Sequence, residues 1–212
     1  MDTTATLVLG TTNAGKLREL AELLTPLGIP CCSLAGLDAA VEVEETGDSF
    51  AANAALKASQ QALALGRWVL AEDSGLVVAA LGGAPGIFSA RFSGAGATDS
   101  RNNSLLLERL AALPAAAPRS AHYACHAALS DPTGTIVAVS SGICGGLIAH
   151  HPAGAGGFGY DPLFIVPEYH RTFGELSPAV KALISHRARA MRAIIPAIER
   201  SLHPRWPPAG ER

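Results

Sequence analysis

The chain has 212 residues, of which 49% are hydrophobic and 16% charged, and its formal net charge is -2. That is enough chain for one sizeable core, and the near-balanced charge argues against a nucleic-acid surface, which needs a basic patch dense enough to displace counterions. No apolar run approaches the ~20 residues of a membrane span, and MDTTATLVLG lacks the basic flank and cleavage pattern of a signal peptide, so the expectation is a cytoplasmic protein without membrane contact.

One domain over residues 1–200 is expected, followed by a disordered tail over 201–212. Thr6 to Leu9 reads as a short strand, and the helix after it places Leu17, Leu20, Leu24 and Leu27 on one face before Gly28 and Pro30 close it. Val41 to Val43 predicts another strand. Asp48 or Ser49 can cap an Ala-rich helix that carries Lys57 and ends near Gly66. Trp68 to Ala71 predicts a buried strand delivering Glu72 and Asp73 at its C-terminal end, where ligand sites of α/β sheets lie. Thr98 or Asp99 can cap a Leu-rich helix that stops before Pro114. His122 to Ser130 and Thr135 to Ser140 read as antiparallel strands joined by the turn residues Asp131 to Gly134, which makes the sheet mixed. A Gly-rich loop runs from Ala149 to Pro162, and Ser177 and Pro178 open a C-terminal helix with interruptions expected near Ser185 and Pro196. Cys31, Cys32, Cys125 and Cys144 lack zinc-type spacing and are expected to be buried, reduced thiols. His150 and His151 are read as loop residues, because adjacent side chains rarely chelate one ion without further ligands.

Three segments carry chemistry. Gly10 to Lys16 (GTTNAGK) lies between a strand and a helix and matches G-x-x-x-x-G-K of a phosphate-binding loop, but Leu17 stands where such loops need Ser or Thr to hold Mg²⁺. Amides at a helix N-terminus, with Thr11, Thr12 and Asn13, still suit phosphate. The second segment pair is acidic: Glu42, Glu44 and Glu45 on one side, Glu72 and Asp73 on the other, able to converge on hard Mg²⁺ or to position water. The third joins Phe158, Gly159, Tyr160 and Asp161 to Lys181, His186 and Arg187, which together could stack on a base and read its edge. Of the 16 basic residues only Lys16, Lys57 and Lys181 are lysines, and compact ammonium charges suit point contacts with phosphate. On the residues alone, three readings stay open: a pyrophosphatase, a phosphotransferase or ATPase of the P-loop kind, and a nucleotide-binding regulatory module without turnover.

The strings TTNAGKLREL, EETGDSFAANAALKA, AEDSGLVVAALGGAPGIFSARFSG, GAGGFGYDPLFIVP and KALISHRARAM, in this order over roughly Leu7 to Met191, resemble the inosine triphosphate pyrophosphatase family. The resemblance implies an elongated mixed β-sheet flanked by helices, two lobes with a central substrate cleft, and a homodimer. It implies hydrolysis of deaminated purine nucleoside triphosphates (ITP, dITP, XTP) to monophosphate and pyrophosphate, with Mg²⁺ as cofactor. By motif match Thr11, Thr12, Asn13, Ala14, Gly15 and Lys16 would hold the triphosphate, with Lys57 and Lys181 as further contacts. Glu45, with Glu44 as the neighbouring alternative, and Asp73 would hold Mg²⁺. Asp73 would accept the proton from water and Ser74 would touch substrate. Phe158, Gly159, Tyr160, Asp161, His186 and Arg187 would form the base pocket. Glu72 departs from the family pattern, in which a second aspartate is common, so a direct metal role for it is not implied.

Overall fold

The computed structural model describes residues 6–202. Strand β1 (Leu7–Leu9) is fully buried and leads into helix α1 (Ala14–Leu24), whose N-cap Asn13 accepts the Lys16 backbone N–H at 3.0 Å. A 3₁₀ turn over Thr25–Leu27 ends at Gly28, which adopts φ 70, a left-handed conformation that glycine takes without steric cost. Strand β2 (Cys31–Ser33) then pairs parallel to β1. No strand forms at Val41 to Val43: the Gln61 side chain bonds both the N–H and the C=O of Val41, leaving its backbone no need of a ladder.

Helix α2 (Phe50–Leu65) is capped by Ser49 and closed by Gly66. Strand β3 (Val69–Val78) runs well beyond the predicted Ala71. Strand β4 (Ser120–Ser130) supplies the reason, since it pairs with β3 residue by residue from Val69–Ser130 to Val78–Ala121. Glu72 and Asp73 therefore lie in mid-strand instead of at its end. They are nonetheless at an opening: on its other side β3 pairs with β1 only at Val69 and Leu70, so Glu72 to Ser74 sit past the C-terminal end of the parallel section. The expectation about strand ends holds for β1, not for β3.

Strand β5 (Ile136–Ile148) is longer than predicted and pairs with β4 along almost its whole length. Short strands β6 (Phe164–Val166) and β7 (Arg171–Thr172) complete one mixed sheet in the order β2-β1-β3-β4-β5-β6-β7. Helix α3 (Asp99–Ala111) is capped by Thr98, and α4 (Pro178–Ile184) by Ser177. Ser185 separates α4 from α5 (His186–Leu202) and caps the new helix, its Oγ accepting the Ala188 N–H at 3.2 Å. Pro196 does not interrupt α5, because buried Ile194, Ile198 and Leu202 hold that face on the core. Ser201 and Leu202, assigned to the tail by sequence, belong to α5 for the same reason; the rest of that tail lies outside the described residues.

Two apolar clusters flank the middle of the sheet. One joins β1, α1 and α5 through Leu7, Leu20, Met191 and Ile194; the other joins the far ends of β3 and β4 to β6 and α3 through Leu76, Leu106, Phe164 and Phe173. The cysteines are all free, with Cys125 and Cys144 buried and Cys31 and Cys32 only partly so. His150 and His151 are exposed in the loop after β5. Among the described residues, no helix is long and apolar enough to cross a membrane.

Candidate functional site

Between the two clusters lies a cavity of about 190 Å³, lined on one side by Asn13, Lys16, Glu45, Asp73 and Ser74 and on the other by Phe158, Gly159, Tyr160, Asp161, Lys181, His186 and Arg187. Most of the residues singled out by sequence thus converge. Thr11, Thr12, Ala14, Gly15 and Lys57 do not line it. Thr11 Oγ1 accepts the Asn13 N–H at 3.2 Å, which shapes the loop. Gly15 sits against the Phe158 ring, where a Cβ would come within 2.7 Å of ring carbons, so the start of α1 and the aromatic wall touch directly. Gly15 and Lys16 lie in the first turn of α1, which leaves Gly10 to Asn13 as the whole connection from β1.

The acidic group is built by three elements. Helix α2 places Asn53 and Lys57 four residues apart on its buried face, toward β3. Lys57 Nζ lies 2.8 Å from Glu45 Oε1 and 2.9 Å from Asp73 Oδ1. Asn53 Nδ2 approaches Asp73 Oδ2 at 3.4 Å, and Arg91 Nη1 donates to Glu45 Oε2 at 2.9 Å. Burial raises the Asp73 carboxyl above its ordinary range, against the opposing pull of Lys57 and Lys16. Glu45 goes the other way: burial would raise it, but Lys57 and Arg91 hold it below the usual carboxylate value.

A second ion network lies deeper. Arg187, 1% exposed, donates from Nε and Nη2 to Glu72 Oε1 at 3.1 Å, from Nη2 to Ser74 Oγ at 2.9 Å, and from Nη1 to Glu19. Lys16 adds a contact to Glu72 at 3.4 Å, and Lys181 pairs with Glu19 at 2.7 Å and with Asp161. Burial opposes ionisation of Glu72, yet Arg187, Lys16 and Lys57 together hold it well below the carboxylate range. His186 is kept neutral, pushed far down by burial and by Arg187 and Lys181; its ring stacks on Tyr123 with centroids 4.6 Å apart, and its buried Nδ1 has no partner among the described residues.

The base-pocket assignments divide accordingly. Phe158 presents its ring to the cavity, with Lys181 Nζ 4.7 Å from the centroid. Tyr160 is packed in the core with its hydroxyl donating to the Ser89 carbonyl at 2.8 Å, and Asp161 accepts the Phe158 N–H at 2.9 Å as well as Lys181. Those two residues hold the loop's shape. Arg187 lines the cavity with most of its donors already engaged by protein acceptors.

Residues not singled out by sequence join the site too. Glu19 links Lys181 to Arg187, Asn53 and Arg91 serve the acidic pair, and Asp99 Oδ2 accepts the Gly159 N–H at 2.6 Å. Glu19 had a readable signal, since it falls one helical turn after Lys16 on the same face of α1. The others depend on chain reversals that sequence periodicity does not encode. Among the described residues no group of three or more His, Cys, Asp or Glu is arranged to hold a metal ion.

The fold and the cleft together define an α/β protein in which a helix N-terminus, a carboxylate pair and an aromatic wall meet across one groove. The chain belongs to the Ham1 family, whose model matches residues 7–197. It is 52% identical over 194 residues to a dITP/XTP pyrophosphatase of Rhodopirellula baltica, covering 92% of this chain and 93% of that protein. Among solved structures, a HAM1 protein from Coxiella burnetii superposes with a TM-score of 0.82 at 39% identity, covering 92% of this chain and 98% of that one. A nucleoside-triphosphatase / dITP/XTP pyrophosphatase from Mycobacterium abscessus gives 0.71 at 40% identity over 91% and 99% of the two chains. The resemblance drawn from the sequence motifs is thus borne out, as is the mixed sheet flanked by helices.

Proposed function

We propose that this chain hydrolyses deaminated purine nucleoside triphosphates, such as ITP, dITP and XTP, to the monophosphate and pyrophosphate, and does so on the cytoplasmic nucleotide pool with Mg²⁺. The observation that carries the reading is the placement of Asp73 and Glu45 around a single ammonium at the edge of a cleft whose far wall is aromatic. The relatives' names point the same way. The N-terminus of α1, with the Asn13 side chain and Lys16, suits a polyphosphate, because its free amides point outward with partial positive charge. Phe158 offers a face for the base.

Two carboxylates already gathered about one cation fit Mg²⁺, which takes few protein oxygens and completes its shell with water and substrate phosphate. Glu45 and Asp73 would hold it, and when bound it would neutralise charge on the phosphates. Asp73, whose buried carboxyl has a raised proton affinity, takes the proton of the attacking water. The new bond forms from water oxygen to the α-phosphorus and the bond to the α–β bridging oxygen breaks, releasing pyrophosphate. ITP with Mg²⁺ should therefore give IMP and pyrophosphate, orthophosphate appearing only after an inorganic pyrophosphatase is added. Direct formation of IDP and orthophosphate, read by anion-exchange chromatography, would favour the P-loop alternative and overturn the reading.

A homodimer belongs to the same proposal. Val137, Val139, Ile143 and Leu147 alternate onto one face of β5 and are 45%, 70%, 53% and 43% exposed, an apolar stripe that a second copy would cover. Replacing Val139 and Ile143 together by Asp should convert dimer to monomer in sedimentation velocity. A wild-type monomer at micromolar concentration would remove the dimer from the proposal.

A further inference from the structure

Every oxygen of the Glu45 and Asp73 carboxylates has a donor without any added ion. Lys57 Nζ takes one oxygen of each, at 2.8 and 2.9 Å. Arg91 Nη1 takes the second oxygen of Glu45 at 2.9 Å, and Asn53 Nδ2 the second of Asp73 at 3.4 Å. Two negative side chains therefore face two positive ones, and the local charge is balanced. Lys57 is not a surface lysine that happens to lie nearby: its side chain is only 14% exposed, and α2 aims it inward from the turn after buried Asn53. Arg91 comes from the 3₁₀ turn over Gly86–Arg91, and its side chain is 45% exposed.

From this balance we infer that Lys57 and Arg91 are positioning residues that make ion binding conditional on the nucleotide. They hold Glu45 and Asp73 together while cancelling the charge that would otherwise capture a divalent ion from solution. The inference rests on the reading of Glu45 and Asp73 as the ion's ligands. A cation entering this pair meets two positive groups within a few ångströms, so it binds the free protein weakly. A triphosphate in the cleft adds negative charge on the open side of the same carboxylates and tips the balance toward binding. Ion affinity and nucleotide occupancy of the cleft would then be linked through Glu45 and Asp73.

The two cations should differ in weight. A charge a few ångströms away and shielded from water changes ion affinity far more than one that is half exposed and screened. Mn²⁺ binding to the nucleotide-free protein, read by the loss of free Mn²⁺ signal in electron paramagnetic resonance, tests this without any turnover. Lys57→Met should tighten Mn²⁺ binding by about tenfold or more, and Arg91→Met by about threefold. Arg91→Met, at a half-exposed position, supplies a variant whose folding is not in question, and Lys57→Gln supplies a second at the buried site. Unchanged or weaker Mn²⁺ affinity in the Lys57 and Arg91 variants overturns the inference while leaving the carboxylate site standing. Failure of the wild-type protein to bind Mn²⁺ even with a non-hydrolysable triphosphate present overturns both the inference and the assignment of Glu45 and Asp73 beneath it.

Discussion

Asp73→Asn should lower kcat on ITP by about 10² or more, since proton transfer to a positioned base and charge held at a metal each contribute on that scale. The amide keeps the volume and the Asn53 neighbour but can neither accept a proton from water nor carry charge to an ion. Folding should survive, and the sign of the Asp73 shift is one reason. Its carboxyl is raised above the ordinary value of 3.8 by burial, so the folded state binds the proton more tightly than the unfolded chain does. Ionised Asp73 therefore costs stability at neutral pH on its own account, but its charge also supports the Lys57 ammonium 2.9 Å away, so Asn relieves one cost and adds another, with Glu45 still pairing Lys57. The expected signature is a separation of effects: turnover falls steeply while the melting temperature changes little. In wild-type protein kcat/KM should climb with pH through a carboxyl pKa above 3.8, and that limb should vanish in Asp73→Asn. A variant with near-normal turnover would remove Asp73 as the proton acceptor.

How far the sequence carried the site depends on which kind of signal each residue left. Caps were legible because they are local: Ser49, Thr98 and Ser177 each bond an amide three residues on, and Gly66 closes α2 in the left-handed region. The length of β3 was not, because Asp73 looks like the polar end of an apolar run until β4 is laid beside it and pairs through to Val78. Strand β2, with Cys31 to Ser33, is held by β1 and by little of its own pattern. The cleft residues Glu45, Asp73 and Lys181 stood out as motif members, and Glu19, which pairs with Lys181, left only the helical spacing from Lys16, while Arg91 beside Glu45 and Asn53 beside Asp73 left none. Asn53 and Arg91 are fixed by tertiary contacts between separate elements, which neither period nor composition records.

Arg187 shows the difference between lining a site and acting in it. Truncation to Ala would strip three acceptors at once and leave Glu72, whose side chain is fully buried, with Lys16 at 3.4 Å as its remaining ion pair. Removing one partner of a buried pair costs about 3 to 5 kcal/mol, so Arg187→Ala should be the most destabilising single change in the cleft. The cost should depend on pH in a defined direction. Glu72 is held below its ordinary value of 4.5, so the stability it contributes is present above that pH and is lost as pH falls below it. In Arg187→Ala that acid-side loss should shrink, because the interaction that depresses Glu72 is gone. Adding Glu72→Gln should recover much of the stability by removing the orphaned charge. That double variant also separates the two roles proposed for Arg187. Hypoxanthine offers a carbonyl at the six position where adenine offers an amino donor, and a pocket that aims donors there should favour ITP over ATP by at least about 10² in kcat/KM. If Arg187 supplies that donor, the folded double variant should lose most of this ratio. If the ratio stays near its wild-type value, Arg187 acts by holding Glu72, Glu19 and Ser74 in place, and the reading of the base passes to Lys181 and the backbone beside Phe158.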